Sequence, residues 1–427
     1  MSHKAEIIAV GSELLLGNVA NTDARYVSEK IASAGVDVLY HTAVGDNPQR
    51  LRQVTDIARS RCDLLIFIGG LGPTYDDLTK ETVCAAFGLE LEFHQDVMEE
   101  IKAYFKNVFR REMPDCNRRQ AFLPKGCAVF HNPVGTAPGC LFTVEGVTVA
   151  MLPGVPHECR YLTDHALLPY LQARQEGVIL SHTLHVFGLT EPKVQELLDD
   201  LMDSVQNPSL APYAKAAEVQ LRITAKAETA EMCETLMAPL LAEVRRRLGE
   251  HICGVDMGDP EVNAVKTLKA RSLTVSAAES CTGGLIAKRI TDVAGASAVF
   301  PGGVVSYTNG VKESILGVPG DILAQFGAVS EPVAKAMAEG ARRIMKSDLA
   351  LSVTGLAGPD GDDRGNPVGT VYIGLAAPGG TEVTHLVLKG GRESIRQQAA
   401  DYALVLLNRH LYNSVQKAKG EDEYGKE

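Results

Sequence analysis

The sequence contains no apolar run long enough to span a bilayer, no C-x-x-C pair, no internal repeat, no low-complexity stretch and no surplus of basic residues. Each absence removes a class of protein. Without some twenty consecutive apolar residues there is no membrane-spanning helix to expect. Nine cysteines, an odd number without close pairing, do not read as a disulfide framework or a zinc ribbon. A net charge of −11 argues against a generic polyanion binder, because backbone phosphate affinity rests on clustered Lys and Arg. A small phosphorylated ligand held by local donors is still compatible. Glu6 and Glu13 interrupt the apolar stretch of MSHKAEIIAVGSELLLG, which has no cleavage-site pattern. No signal peptide is therefore expected, the expected compartment is the cytoplasm, and no membrane partner is foreseen.

What is present is a normal globular mixture, 45% apolar and 22% charged, in a chain of 427 residues that calls for two or three domains. In the first part, about 1–170, short β-branched runs alternate with helical periodicity: strands at 5–10, 36–42 and 63–69, helices at 21–34 and 49–59. Strand–helix–strand alternation predicts a parallel sheet covered on both faces. A charged helical insertion is expected at 94–120, and strand-like periodicity returns at 128–152. The middle part, 175–255, reads as a small α+β module: strand 180–188, helix 191–204, strand 217–225 and helix 228–248. Its NPSLAPY run (207–213) has loop chemistry. The third part, 259–413, is again α/β, with strands at 273–277, 298–307, 348–354, 369–377 and 381–388. A last helix is expected at 393–411, followed by a polar tail, 414–427, that frays.

Gly- and Ser/Thr-rich turns carry the chemical information in the third part. In AAESCTGGLIAKRI (277–290) a strand ends, Ser280 stands in the turn, and Gly283–Gly284 lead into a helix. A helix N-terminus offers unpaired N–H groups near a developing oxyanion. Taken alone, the motif reads more readily as a Ser helix cap. In GGVVSYTNGVKESILGV (302–318) Tyr307 ends a strand and Lys312 begins a helix. A Lys on a helix face is usually a solvated charge. Apart from His385 on a late strand, however, no His accompanies these turns, and a Ser nucleophile without His needs another base. A desolvated Lys is a known substitute. Thr354 precedes the glycine turn of SVTGLAGPDG (352–361), which reads equally as a bland turn. Arg392, in KGGRES (389–394), opens the last helix, where a cation is awkward unless an anion lies beside it. Cys281 rivals Ser280, but no activating partner for a thiolate is evident.

In the first part, GGLGPTYDDLT (69–79) follows a strand and precedes a helix. Backbone amides around Gly70 and Gly72 could cradle a phosphate, with Asp76 and Asp77 holding a divalent ion. Two acidic helix caps explain the same residues. Ser12 and Glu13 lie at the end of the first strand, the ligand edge of an open α/β sheet.

Taken in order, AESCTGG, YTNGVK, GAVSEP, TGLAGPDG, NPVGTVYIG and GGRESIRQQA resemble the nicotinamide-nucleotide amidase domain of the competence- and damage-inducible (CinA) family. VGSELLLGNVANTDA, VGDNPQRL, GGLGPTYDDLT, NPVGTAPGC and LPGVPHE resemble the molybdopterin-binding-like domain at the N-terminus of the same family. The resemblance implies an N-terminal molybdopterin-binding-like α/β domain, a small KH-like α+β linker module and a C-terminal α/β amidase domain. It implies that Ser280 is the nucleophile and Lys312 its base, with Tyr307 and Thr354 in the catalytic group and Thr282, Gly283, Gly284 and Arg392 binding substrate. The implied reaction is hydrolysis of nicotinamide mononucleotide to nicotinate mononucleotide and ammonia, without cofactor. For the N-terminal domain it implies divalent-metal-dependent cleavage of ADP-ribose, with Asp46, Asp76, Asp77 and Glu158 as candidate ligands and Gly70 and Gly72 binding substrate. The middle module has no GXXG loop, so an RNA role is not expected and a spacer or homodimer contact is. The alternatives are a molybdopterin or nucleotidyl transferase at the N-terminus, or a non-catalytic competence adaptor.

Overall fold

The structure, a computed structural model, describes residues 3–32, 34–174, 177–204 and 206–424, with backbone alone at 203–204 and 415–424. Ser33 of the expected first helix, residues 175–176 at the expected boundary, and 425–427 of the expected tail lie outside the described residues. Contacts divide the chain into two compact units, Met1–Leu180 with Lys226–Cys233, and Ser181–Ala225 with Glu234–Glu427.

The first unit is built on a six-stranded sheet ordered Val36–Val44, His3–Val10, Leu64–Ile68, Val147–Leu152, Gly139–Val144, Ala128–Phe130. The first four strands run parallel, and the last two add antiparallel. Leu64–Ile68 (LLIFI) is buried throughout because helices cover both faces, which is why it reads as continuous rather than alternating. One face packs Val27 and Ile31 of helix Thr22–Ala32 against Ile7 and Ile66. The other packs Leu51 of helix Pro48–Arg59 against Ile8 and Phe67. From the central strand His3–Val10 the chain moves first to one side and then to the other. The gap this leaves lies at the carboxyl ends of the strands, the usual ligand position in such sheets.

The middle module is a four-stranded sheet ordered Ser209–Ala214, Val219–Ala227, Val178–Val186, Ile252–Val255, with helices Glu191–Ser204 and Ala230–Leu248. The sequence reading of NPSLAPY as loop is corrected here, since Ser209–Ala214 is a strand. It is an edge strand, where Pro212 can face outward without breaking a ladder, so the proline that suggested a loop is tolerated.

The C-terminal part has a five-stranded sheet ordered Gly302–Val305, Val275–Glu279, Leu349–Gly355, Thr370–Ala377, Gly380–Val387. The first three strands are parallel and the remainder antiparallel. Helix Glu331–Met345 covers one face, packing Val333, Met337 and Ala341 on Ala278 and Ala350. On the other face Ala277 and Leu351 meet Leu404 and Leu407 of the final helix. That same core takes in Phe187, Ala217 and Cys253 of the middle module, and Phe187 meets Tyr402 edge-on at 6.0 Å.

Several element boundaries differ from the sequence reading. The strand leading to Ser280 is Val275–Glu279 rather than 273–277, so Ser280 follows it directly. The strand expected at 298–307 shrinks to Gly302–Val305, because Ala296–Ala298 forms a 3-10 turn and Pro301 has no N–H to give a ladder. The last helix runs Arg392–Tyr424, so the stretch read as a fraying tail is helical through Tyr424. Among the described residues no helix is long and apolar enough to cross a membrane.

Candidate functional site

In the C-terminal sheet the parallel strands end together, placing Ser280, Ser306–Tyr307 and Thr354 along one edge. Ser280 N donates to Val353 O at 2.9 Å, and Ser306 N donates to Glu279 O at 2.7 Å. The chain turns sharply after Ser280 because Gly283 (φ 62°) and Gly284 (φ 97°) adopt left-handed backbone that other residues resist. The short helix Asn309–Ser314 then brings Lys312 in beneath the serine.

Lys312 is 1% exposed and Ser280 8%. The Lys312 Nζ donates to Ser280 Oγ at 3.0 Å and to the Ser306 carbonyl at 2.6 Å. Among the described residues no carboxylate pairs with the ammonium. Burial pulls its pKa down to about 8, against a small opposing pull from Cys281. An amine so placed can lose its proton near neutrality and then accept one from the serine hydroxyl. Cys281 is also buried, and burial pushes its thiol up to about 11, the reverse of what a thiolate nucleophile needs.

The other expected residues fall around this pair in different states. Thr354 is buried, and its hydroxyl donates to Ala328 O at 2.7 Å, which leaves the oxygen as an acceptor. Tyr307 is exposed, and its hydroxyl accepts from Arg392 Nη2 at 2.9 Å. Arg392 also donates to Gly358 O at 2.6 Å. Thr282 is fully buried, and among the described residues its hydroxyl has no partner. His385, the one histidine noted near these turns, is stacked on Tyr372 at 4.5 Å.

The sequence reading missed Glu279, Ser306 and Arg396. Glu279 is 1% exposed and its carboxylate accepts from the amides of Gly284, Ile286 and Ala287. It thereby caps the helix that was expected to offer free N–H groups to a ligand. Arg396 donates to the carbonyls of Cys281 at 3.0 Å and Thr282 at 2.9 Å. The available signal was its spacing, one helical turn after Arg392.

In the first unit a cavity of about 380 Å³ opens at the carboxyl ends of the parallel strands. Asp46, Gly70, Gly72, Asp76, Asp77 and Glu158 all line it, as does Glu13. Among the described residues the amides of Gly70, Leu71 and Gly72 make no hydrogen bond, so the loop does present free donors. Gly70 (φ 68°) cannot be replaced cheaply, because a Cβ there would stand 2.1 Å from Thr79 Oγ1. Thr74 organises the acidic pair: its amide donates to Asp77 at 2.9 Å, and its hydroxyl reaches both Asp77 and Asp76. Asp46 accepts from Ser12 N at 2.8 Å.

Glu158 stands apart in character. Its carboxylate takes Asn132 Nδ2 at 2.5 Å and Ala137 N at 3.3 Å, and burial raises its pKa. That describes a structural carboxyl better than a metal ligand. Among the described residues no group of three His, Cys, Asp or Glu side chains is placed to hold a metal ion. The donors present do suit an ion such as Mg²⁺, which takes one or two carboxylates and completes its shell from water and ligand phosphate.

Comparison with known proteins follows this division of the chain. Family models match as Probable molybdopterin binding domain over residues 6–173, Damage-inducible protein CinA KH domain over 181–254, and CinA C-terminal domain over 259–411. A relative from Acetivibrio thermocellus, named for competence-damage inducibility, is 45% identical over 416 residues, covering 97% of this chain and 100% of its own. A CinA-like protein of Kosmotoga olearia is 45% identical over 409 residues, covering 96% and 99% respectively. Among solved structures, competence/damage inducible protein CihA from Agrobacterium tumefaciens is 41% identical and covers 35% of this chain and 94% of that one, with a TM-score of 0.34.

Proposed function

The chain belongs to the CinA family, and from that premise we propose that its C-terminal domain hydrolyses the carboxamide of nicotinamide mononucleotide with Ser280 as nucleophile. The observation that carries this reading is the buried Lys312 Nζ at 3.0 Å from Ser280 Oγ. Deprotonated Lys312 accepts the hydroxyl proton as Ser280 attacks the carboxamide carbon. The lysine then returns that proton to the departing nitrogen, ammonia leaves, and an acyl-serine remains. Water gives a proton to the same amine and attacks the ester, and the lysine passes that proton to Ser280 Oγ as the ester bond breaks and nicotinate mononucleotide leaves. Arg392, beside a helix N-terminus at the rim, is suited to the ligand phosphate and would exchange Tyr307 Oη for it.

For the N-terminal cavity the reading is cleavage of ADP-ribose to AMP and ribose 5-phosphate. Free amides at Gly70–Gly72 suit a pyrophosphate. Asp76 and Asp77, with Asp46 across the cavity, would hold a divalent ion, which when bound neutralises phosphate charge. A second reading, binding or adenylylation of a pterin, is favoured by the match to a molybdopterin binding domain. One experiment separates these: pure protein is incubated with nicotinamide mononucleotide or ADP-ribose, with and without chelator, and the products are identified. Absence of nicotinate mononucleotide would refute the amidase reading. An adenylylated product in place of AMP would favour the pterin reading.

A further inference from the structure

A buried amide without a partner is rare, because losing water without gaining a hydrogen bond costs about 1–3 kcal/mol. The turn after Ser280 holds two. Thr282 is fully buried and Cys281 nearly so, yet among the described residues neither main-chain N–H donates a hydrogen bond to another residue. The neighbouring amides are all engaged. Gly283 N donates to Ser280 O at 3.1 Å, and the helix amides of Gly284, Ile286 and Ala287 donate to Glu279. The helix terminus is therefore closed to a second anion: its donors are taken and a carboxylate already occupies it. The donors left open are those at Cys281 and Thr282.

Arg396 grips the opposite side of one of these peptide units, the one that joins the Cys281 carbonyl to the Thr282 amide, and the carbonyl of the unit that follows it. Its Nε holds the Cys281 carbonyl at 3.0 Å and its Nη2 the Thr282 carbonyl at 2.9 Å. A peptide unit is planar and trans, so its N–H points away from its C=O. Holding the Cys281 carbonyl therefore fixes the direction of the Thr282 amide. Drawing charge onto that carbonyl also makes the amide a stronger donor.

We propose that the oxyanion formed on attack by Ser280 is received by the main-chain amides of Cys281 and Thr282, and that Arg396 is the positioning residue that aims the second of them. This assignment rests on the amidase reading. As the Ser280 Oγ–carbon bond forms, the carbonyl π pair moves onto the substrate oxygen, which becomes the anion facing these two donors. As the tetrahedral centre collapses the pair returns, the carbon–nitrogen bond breaks, and the nitrogen leaves with the proton from Lys312. No co-reactant beyond water is needed. Fixed donors of this kind need no reorganisation when the charge develops. Cys281 is thus required for its backbone position and not for its thiol.

The test uses the full chain with nicotinamide mononucleotide, reading ammonia release across pH in Arg396→Ala and Arg396→Lys. Arg396→Ala should lower kcat by about 10- to 100-fold, the scale set by small misplacement of catalytic groups. KM should stay within about threefold, since the loss falls on the transition state alone. The acid limb set by Lys312 should not move, and millimolar guanidinium should restore part of the rate. Arg396→Lys keeps the charge but loses the planar fork that spans both carbonyls in a fixed geometry, and it too should lose kcat; it decides the matter if the alanine variant does not fold. Wild-type kcat in the lysine variant, or a raised KM with kcat intact, would overturn the assignment. Absence of ammonia release by the unaltered chain would instead overturn the amidase reading, and this assignment with it.

Discussion

Lys312 Nζ lies within hydrogen-bond reach of Ser280 Oγ, at 3.0 Å, and its other acceptor is a main-chain carbonyl rather than a carboxylate. A base without a counter-ion keeps the depressed pKa that the chemistry needs. Ser280→Ala and Lys312→Ala should each lower amidase kcat by at least about 10³-fold, and the double variant should be little worse than either, as for groups acting as one unit. Lys312→Arg should not rescue, because guanidinium does not give up its proton. Steady-state rates of the four variants check this, and additive losses would break the pairing.

The pH dependence follows from the same lysine. With a pKa near 8, Lys312 is protonated and inert as a base below that value, so kcat should fall as pH drops through about 8. Stability should move in the matching direction. The pKa is lowered in the folded state, so between about 8 and 10.5 the unfolded chain binds more protons, and stability rises with pH across that window. A Lys312→Met variant should lose this slope in urea titrations at pH 8 and 10. A slope unchanged by the substitution would mean that other groups set it.

Cys281→Ala should retain activity within about threefold of wild type, because a thiol held near 11 by burial contributes no thiolate at neutral pH. Alkylation kinetics provide an independent check. Fast, activity-linked labelling at Cys281 would reverse the order of the two candidates.

The sequence named the side chains of the candidate site more readily than the groups that hold its backbone. Ser280 and Lys312 were singled out by a strand end, a glycine turn and a missing histidine, and were paired by the family resemblance. Glu279 was not, since its partners are amides of the following helix and no spacing of side chains reports that. Arg396 also works on main-chain groups, and its one trace in the sequence is its spacing, a helical turn after Arg392. The fold was read largely from periodicity, which marks strands buried on both faces such as Leu64–Ile68. It failed at Ser209–Ala214, where local proline chemistry pointed to a loop and only the neighbouring strand Val219–Ala227 makes the segment a strand. In the first unit Asp46, Asp76 and Asp77 were correctly gathered on one cavity. Glu158 lines it too, but in the hold of Asn132 and Ala137.

Chelation should abolish ADP-ribose cleavage while leaving amide hydrolysis intact, and Asp77→Asn should mimic the chelator at the N-terminal site alone by about 10²-fold or more. Product chromatography with both substrates reads the two sites side by side. Loss of both activities on chelation would contradict the division of labour.

A fragment beginning at Ser181 should be more stable than one beginning at Asp259. The shorter piece strips Phe187, Ala217 and Cys253 from a shared core and exposes the apolar surface they cover. Removing one large buried side chain typically costs about 3–5 kcal/mol, and the shorter fragment loses several contacts at once. Melting temperatures of the two fragments decide it. Equal values would mean that the C-terminal sheet closes its core alone.

The final helix touches both ends of this arrangement. Arg396 grips the turn after Ser280, and Tyr402, less than two turns along the same helix, lies against Phe187 of the middle module. A rigid rod of that length cannot tilt at one end without moving the other. The small module thus packs on the same helix that holds the turn after Ser280. A change in packing at Phe187 would be carried along the helix to Arg396 and so to the backbone beside Ser280.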